Sequence, residues 1–326
     1  MVPLRIELPT LKDAKIAQAL QAARGIRSEA TEVQTSTTGG NRKVFLKLEN
    51  ELLLGSYKLR GVINALDHHH RQHGKIPKRM ITVSAGNMAQ AVAYIGKEIN
   101  CPVKAIVPES APRAKTDVIR AFGGDVEIRP MTEVWNYIEN PLSDPEHLLI
   151  HPLVTPGILA GYSVIALEIL EMPVRPDALF IPFGVGGLTI GIASILKMLA
   201  PEIAIICVET EACPTLQSAF QAGKPVYVTK GHTCADAIGT PRVVASCLEL
   251  IKKFKLVDDV VSIAERDIRS AMSTLHLRHN VKVEGAAAAS FAAAINSKFK
   301  RPMALLTGQN VNQDLFNDII SENLEF

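Results

Sequence analysis

The sequence predicts an α/β fold of two lobes, each with a mostly parallel sheet that is flanked by helices. The chain has 326 residues, which is long for one domain and suits two. Short apolar runs alternate with helical patterns along most of its length, as in parallel sheets that are covered on both faces. Four loops with polar or glycine residues follow predicted strands, at the edge where open α/β sheets bind ligands.

The elements of the first half follow from local signals. Thr10 and Asp13 form a capping box, which predicts the start of the first helix. An apolar strand at 44–48 precedes Ser56, which we expect to cap a helix at 57–69. The remaining elements of this half alternate, with strands predicted at 80–83, 103–107 and 126–128 and helices at 87–99 and 114–122.

The second half repeats the alternation. Its predicted strands are 178–182, 204–208 and 303–306, and its predicted helices are 188–199, 264–277 and 285–295. We expect the loop at 141–156 to join the two lobes, because it separates the two series of alternating elements.

The composition limits the range of partners. A net charge of +2 is nearly balanced, so we expect neither nucleic acid nor a membrane as a partner. No apolar run is long enough to span a membrane, and the N-terminus lacks the pattern of a signal peptide. We therefore expect a cytoplasmic protein.

Cysteines and histidines give little support for disulfides or metals. The five cysteines are scattered without a CxxC pair, which is typical of small buried side chains. The cluster of His68, His69, His70 and His73 is either a metal site or a solvated helix end. Consecutive side chains on a helix point in different directions, which favours the solvated end. We therefore expect no metal site there.

Lys58 is the strongest candidate for a reactive side chain. It lies at the predicted start of a helix, next to Tyr57 and Ser56. The positive end of the helix dipole disfavours the charged form of a lysine at this position. A neutral lysine amine can attack a carbonyl and form a Schiff base. If Lys58 does so, the chain is an enzyme that uses pyridoxal phosphate (PLP).

The other loops at strand ends each have two interpretations. The glycine loop at 184–188 either binds a phosphate at a helix N-terminus or only allows close helix packing, and it has neither Walker nor GxGxxG spacing. Ser84 and Asn87 either bind a carboxylate and a phenolate-like oxygen or cap a helix. Thr307 either faces a ring nitrogen or belongs to a turn, and Glu284 is either a site residue or a simple helix N-terminal acid.

Together these segments resemble the fold-type II PLP enzymes, which are similar in architecture to the tryptophan synthase β subunit, and within them the threonine/serine dehydratase and serine racemase family. The similarity runs from about residue 10 to residue 312. The motifs that carry it are K-L-E-N, G-S-Y-K-L-R-G, S-A-G-N-M-A-Q, G-V-G-G-L, V-E-G-A-A-A and L-T-G-Q-N-V-N. Their combination and order are specific, although no single motif is.

The resemblance implies a role for each site residue. Lys58 holds PLP, with Tyr57 beside the ring and Glu284 in the same cofactor site. Asn87 binds the ring hydroxyl oxygen and Thr307 faces the ring nitrogen. Backbone amides that bind the phosphate belong to Gly184, Val185, Gly186, Gly187 and Leu188. The substrate carboxylate is surrounded by Ser84, Ala85, Asn87 and Met88, and the catalytic residues are Lys58 and Ser84.

The resemblance also implies an activity and an organisation. The expected reaction is α,β-elimination from a β-hydroxy amino acid such as L-threonine or L-serine, which yields a 2-oxo acid and ammonia. The expected domains are a large PLP-binding domain at 1–65 and 153–326 and a small mobile substrate domain at 66–152. A homodimer is usual for the family.

Departures from the family pattern refine these expectations. Ala85 stands where serine racemases place a serine, so elimination is expected rather than racemisation. Met88 replaces the usual histidine of the substrate loop and is expected to alter the substrate pocket, whereas Tyr162 and Ala237 add bulk near the cofactor or substrate. A divalent cation is doubtful, because Thr215 replaces a carboxylate that would join Glu209.

Two alternatives stay open at this point. The first is a PLP-dependent β-replacement enzyme, in which a nucleophile traps the product of elimination. The second is a non-catalytic PLP-binding protein, which the departures at Met88, Tyr162 and Ala237 favour and the retention of Lys58 disfavours. A nicotinamide-dependent dehydrogenase is weaker, because the glycine spacing does not match.

Overall fold

The structure, a computed structural model, describes residues 4–37, 40–141 and 146–322 and contains two sheets. The strands are β1 (Ala30–Thr37), β2 (Gly40–Lys47), β3 (Arg79–Val83), β4 (Val103–Pro108), β5 (Asp125–Arg129), β6 (His147–Ile150), β7 (Ala178–Pro182), β8 (Ala204–Thr210), β9 (Asp259–Ile263) and β10 (Pro302–Leu305).

Helices follow most of the strands. They are α1 (Leu11–Ala23), α2 (Lys58–His73), α3 (Asn87–Glu98), α4 (Arg113–Ala121), α5 (Met131–Glu139), α6 (Ile158–Leu170), α7 (Gly187–Leu199), α8 (Thr215–Ala222), α9 (Ala245–Phe254), α10 (Glu265–His279), α11 (Gly285–Ile295) and α12 (Gln313–Ser321).

The predicted α/β class is confirmed by the sheet topology. The larger sheet has the strand order β1-β2-β10-β7-β8-β9, with only the β1–β2 pair antiparallel. The smaller sheet has the order β5-β4-β3-β6 and is parallel throughout. Because β2, β7 and β10 are neighbours, the loops that follow them meet at one edge of the larger sheet.

Local signals placed the predicted elements close to their observed positions, but the cap predicted for α2 is wrong, and the joining loop predicted at 141–156 contains the strand β6. The capping box of Thr10 and Asp13 is present in both directions at the start of α1. Ser56 does not cap α2. The N-cap is Tyr57, without a side-chain hydrogen bond, and Ser56 instead pairs with Gly308 in an isolated β-bridge. The backbone of Ser56 thus joins the segment after β2 to the segment after β10.

The predicted domain boundaries stay a prediction. The boundary at 65/66 lies inside α2, and part of the predicted joining loop, residues 142–145, lies outside the described residues. Two ion pairs connect the predicted lobes, between Lys115 and Asp236 at 2.5 Å and between Arg242 and Glu139. Within the described ranges, no helix is long and apolar enough to cross a membrane.

A buried group of charged side chains lies beneath α2. Arg60 is fully buried and donates to Glu49 at 2.7 and 3.0 Å and to Glu168 at 2.9 Å. Lys47 donates to Glu168 at 2.6 Å. Burial alone raises the pKa of Glu168, but the charges and hydrogen bonds of Arg60 and Lys47 outweigh it and lower that pKa. The four charges balance, and they anchor α2 to β2 and α6.

Candidate active site

Lys58 is the first residue of α2 and faces the segment that follows β10. The chain turns sharply before it, with Leu54 and Gly55 both at positive φ, 69° and 67°. A Cβ at Gly55 would lie 2.9 Å from the side chain of Gln309, so glycine allows this close approach. The backbone N–H of Tyr57 donates to the Thr307 carbonyl at 3.3 Å. These contacts bring the Lys58 helix terminus next to Thr307.

Asn87 links three loops that are far apart in the chain. It is the first residue of α3, and its Nδ2 donates to the Glu284 carboxylate at 3.0 and 3.2 Å. Its Oδ1 accepts from Asn310 Nδ2 at 2.9 Å, and the same nitrogen donates to the Leu54 carbonyl at 2.8 Å. The side chain of Asn87 is therefore held in one orientation. Sequence reasoning did not single out Asn310, although it lies in the L-T-G-Q-N-V-N segment.

Glu284 is a buried carboxyl group beside the candidate site. Burial raises its pKa to about 7, against the lowering effect of the Asn87 hydrogen bond. Asp236 raises the pKa further, whereas Lys115 and Lys58 lower it, so all three charges lie close enough to act on it. Gly308 packs directly on this carboxyl group, since a Cβ there would lie 2.8 Å from Glu284 Oε1.

This environment predicts an effect of Glu284 on the pH dependence of stability in the cofactor-free protein. Its pKa is raised from 4.5 to about 7, so its contribution is fully present below pH 4.5 and is lost as the pH rises through 7. Between pH 4 and 8, the native protein should lose about 3 kcal/mol of unfolding free energy relative to Glu284→Gln. Urea unfolding of both proteins across this range measures the difference. A constant difference at every pH would contradict the prediction.

The glycine loop forms a cradle with no room for side chains. Gly186 has φ 98° and is the N-cap of α7, which begins at Gly187. A Cβ at Gly187 would overlap the Pro152 carbonyl oxygen, and one at Gly184 would lie 2.8 Å from the Ala237 carbonyl oxygen. The N–H groups of a first helical turn have no partner within the helix, and they favour an anion. The loop therefore has both the close packing and the helix N-terminus that its two interpretations require, and binding of the PLP phosphate stays a prediction.

Filling this cradle should weaken PLP binding. In Gly187→Ala, the added methyl group meets a backbone carbonyl that cannot rotate away, so the loop must shift. We expect PLP affinity to fall at least about tenfold, or roughly 1.4 kcal/mol, as measured by absorbance titration of the cofactor-free protein. Gly223→Ala is the control for a glycine away from the loop: its φ of 72° strains the backbone of the variant, but no atom lies within 4 Å of the added Cβ. Equal affinity in the native protein and Gly187→Ala would refute the cradle.

The loop that follows β3 contains the expected carboxylate-binding residues. Ser84 Oγ accepts from the Gly86 N–H at 3.2 Å and so shapes the turn. The capping alternative for Ser84 and Asn87 is wrong, because the N-cap of α3 is Gly86 without a side-chain hydrogen bond. Met88 is buried, and Ala85 packs against the apolar core. The structure therefore brings the S-A-G-N-M segment to the same region as Glu284.

Thr307 and Tyr162 complete the surroundings of Lys58. Thr307 is buried just beyond the end of β10, and its carbonyl oxygen accepts a hydrogen bond from the Tyr57 N–H. Tyr162 is fully buried, and its ring packs edge-on against Tyr57 with centroids 5.1 Å apart. It occupies the space beside Gly61, where a Cβ would overlap the tyrosine ring. Tyr162, one of the departures from the family pattern, therefore places a bulky ring behind Tyr57.

The sequence has two candidate metal sites, Glu209 and the histidine cluster, and the structure gives each a different environment. Glu209 accepts from the Leu216 and Gln217 N–H groups at 2.7 and 3.0 Å and from Thr215 Oγ1 at 3.0 Å, so it caps α8. Burial raises the pKa of Glu209 despite these bonds. The histidine cluster lies at the end of α2, and burial lowers the pKa of His69 there. In the parts of the chain that the structure describes, no group of three His, Cys, Asp or Glu side chains is placed to hold a metal.

Comparison with known proteins identifies the family. Residues 29–308 match the family model described as pyridoxal-phosphate dependent enzyme. The chain belongs to this family. PLP is therefore its cofactor, and the fold-type II resemblance drawn from the motifs is confirmed.

Curated relatives of this PLP enzyme cover most of its length. It is 30% identical over 322 residues to the L-threonine ammonia-lyase of Thermotoga maritima, a match that covers 97% of this chain and 79% of the relative. It is 32% identical over 298 residues to a catabolic L-threonine dehydratase of Staphylococcus aureus, covering 89% of this chain and 84% of the relative.

Solved structures of similar fold include a threonine deaminase and a serine racemase. The T.th. threonine deaminase has a TM-score of 0.75 and 26% identity, covering 93% of this chain and 99% of that chain. Maize serine racemase has a TM-score of 0.80 and 25% identity, covering 98% of this chain and 99% of that chain.

Proposed function

We propose that this chain is a PLP-dependent ammonia-lyase, or dehydratase, that converts a β-hydroxy amino acid such as L-threonine or L-serine into a 2-oxo acid and ammonia. The observation that carries the proposal is that Lys58, Thr307 and the glycine loop follow the neighbouring strands β2, β10 and β7. Asn87 follows β3 of the smaller sheet and is joined to this region by hydrogen bonds with Glu284 and Asn310. The 30–32% identity to relatives named for L-threonine supports the same substrate class.

The proposal assigns a binding role to each of these groups. Lys58 would hold PLP covalently, the N–H groups at the start of α7 would bind its phosphate, and Asn87 would bind its ring oxygen. Thr307 would face the ring nitrogen with a hydroxyl group, which cannot hold that nitrogen protonated as a carboxylate would. When bound, PLP supplies electron withdrawal from the substrate Cα. A weaker electron sink favours prompt loss of a β-substituent, and hence elimination.

The residues around the substrate would then direct the reaction. Ser84 and the backbone of the S-A-G-N-M segment would hold the substrate carboxylate. The amine of Lys58 would take the proton from Cα as general base. Ala85 has no proton to give on the opposite face, so the configuration at Cα would not be inverted. The proton held on Lys58 and the hydroxyl group lost from Cβ would together make up one water, and hydrolysis of the released enamine would give the 2-oxo acid and ammonia.

The organisation of the enzyme is part of the proposal. Residues 66–152 would form a small substrate domain that moves against the PLP-binding domain, with the Lys115–Asp236 and Arg242–Glu139 ion pairs at their contact. The usual assembly of the family supports a homodimer, and a cytoplasmic location stays part of the proposal. Light scattering of the purified protein measures the assembly.

A substrate panel tests the proposed activity. PLP-loaded protein is incubated with L-serine, L-threonine, both D-enantiomers and 3-hydroxyaspartate, and 2-oxo acid and ammonia are measured together. We expect equal amounts of both products from at least one L-substrate. Bound PLP without product from the whole panel would refute an ammonia-lyase and favour a binding protein. A new amino acid formed when thiols are added would instead identify β-replacement.

A further inference from the structure

The hydroxyl group of Tyr57 lies against the reactive amine. Lys58 Nζ donates to Tyr57 Oη at 2.5 Å, and it lies 4.4 Å from the centroid of the same ring. The hydroxyl oxygen is therefore the nearer partner, rather than the ring face. Among the residues that the structure describes, Tyr57 Oη is the only hydrogen-bond acceptor of Lys58 Nζ, and no carboxylate forms an ion pair with it.

The fold fixes the position of this hydroxyl group. Tyr57 is only 9% exposed, and its backbone N–H is held by the Thr307 carbonyl. Its ring packs edge-on against Tyr162, which is 1% exposed and wedged beside Gly61. The ring of Tyr57 cannot swing away unless Tyr162 moves as well. The phenol oxygen is thus a fixed acceptor beside a flexible lysine side chain.

A lysine that acts as a base needs such an acceptor. An ammonium group has three N–H donors and no acceptor, so the charged amine is stabilised only where oxygen atoms face it. A hydrogen bond to a charged group contributes more than one between neutral groups. The Tyr57 oxygen already occupies an acceptor position. It would therefore stabilise the amine most after the amine has gained a proton.

We propose that Tyr57 is a further catalytic residue, whose hydroxyl oxygen holds the Lys58 amine while that amine is detached from the cofactor and carries the substrate α-proton. This inference rests on the proposed function. In this step the Cα–H bond breaks and an N–H bond forms on Lys58. The electron pair of the broken bond forms the Cα=Cβ double bond while the Cβ–O bond breaks. The hydroxyl group leaves with the electron pair of that bond, and it makes up one water with the proton held on Lys58. Tyr57 exchanges no proton itself and acts as hydrogen-bond acceptor.

Tyr57→Phe removes only the oxygen and keeps the ring. The first measurement uses cofactor-free protein: Lys58 is acetylated with acetic anhydride, and the labelling rate is followed by peptide mass mapping. Loss of a hydrogen bond that favours the charged amine should speed labelling about tenfold. Tyr162→Phe is the matched control, because the buried Tyr162 hydroxyl has no partner within the described residues. It should label within twofold of the native protein.

The second measurement uses PLP-loaded protein. For Tyr57→Phe we expect kcat to fall about tenfold, with KM and bound PLP unchanged, because in the loaded enzyme the Lys58 amine is free to donate to Tyr57 only after substrate has displaced it from the cofactor. A merely structural role would instead lower PLP content or unfolding stability. Native labelling and native kcat in Tyr57→Phe would overturn the proposal. If labelling changes but the native enzyme forms no 2-oxo acid, the proposed activity fails while the Tyr57–Lys58 contact is supported.

Discussion

Replacing Lys58 with alanine is expected to lower kcat/KM for 2-oxo acid formation roughly 10³-fold or more. The amine would be lost both as the covalent anchor of PLP and as the base at Cα. The described hydrogen-bond partner of Lys58 is the hydroxyl group of Tyr57, which is a poor substitute for an amine. Coupled measurement of 2-oxo acid and ammonia tests this expectation on the most active substrate of the panel.

The matched control is Lys43→Ala. Lys43 lies on β2 close to Lys58 in the chain, but it is exposed and pairs with Glu32. Its removal also deletes one positive charge, and activity should stay within twofold. Borohydride reduction of the loaded native enzyme, followed by peptide mapping, should place the pyridoxyl group on Lys58. An adduct at another lysine, or more than a tenth of native activity in Lys58→Ala, would end the assignment.

Replacing Arg60 with methionine is expected to destabilise the protein by about 3–5 kcal/mol. The change keeps most of the side-chain volume but leaves Glu49 and Glu168 buried with less compensation. At present both carboxylates accept hydrogen bonds from the fully buried guanidinium group. Removing one partner of a buried network costs more than the pair itself contributes, because the remaining charge stays desolvated. Urea unfolding measures the loss.

Two further variants show whether burial is the cause. Arg71→Ala breaks the exposed helical pair with Asp67, and it should cost at most about 1 kcal/mol. Adding Glu49→Gln to Arg60→Met removes one of the uncompensated charges, so part of the lost stability should return. Equal losses of unfolding free energy in Arg60→Met and Arg71→Ala would show that burial of the network adds nothing to its effect on stability.

Most regular elements were predictable because their signals are local. The strand β7 and the helix α11 have the predicted bounds, since apolar runs and small helix formers are visible in short windows. The helix α6 was not predicted. Nearly all of its residues are buried, so it has no polar face and no helical periodicity of apolar residues. The strand β1 was also missed, because alternating Thr, Glu and Val residues on an antiparallel edge strand give a weak pattern.

Other omissions have a similar origin. The short helices α5, α8, α9 and α12 and the strands β6 and β9 lie near turns or at sheet edges, where brief patterns compete with loop composition. None of these omissions changed the fold class. The strands that carry the candidate site residues were all predicted, because each ends in a distinctive polar or glycine loop.

The sequence by itself determined the fold class, the family, the PLP cofactor and the candidate lysine, since short motifs and their order carry that information. It did not determine which loops touch. Asn87 and Glu284 are 197 residues apart, and Arg60 and Glu168 are 108 apart, yet each pair forms direct hydrogen bonds. Only the tertiary structure decides such contacts, because strand order in the sheets sets them and strand order differs from chain order. Tyr57 is a further example. The sequence shows that Lys58 is its neighbour, but the position of its hydroxyl group depends on the ring of Tyr162, which is distant in the chain.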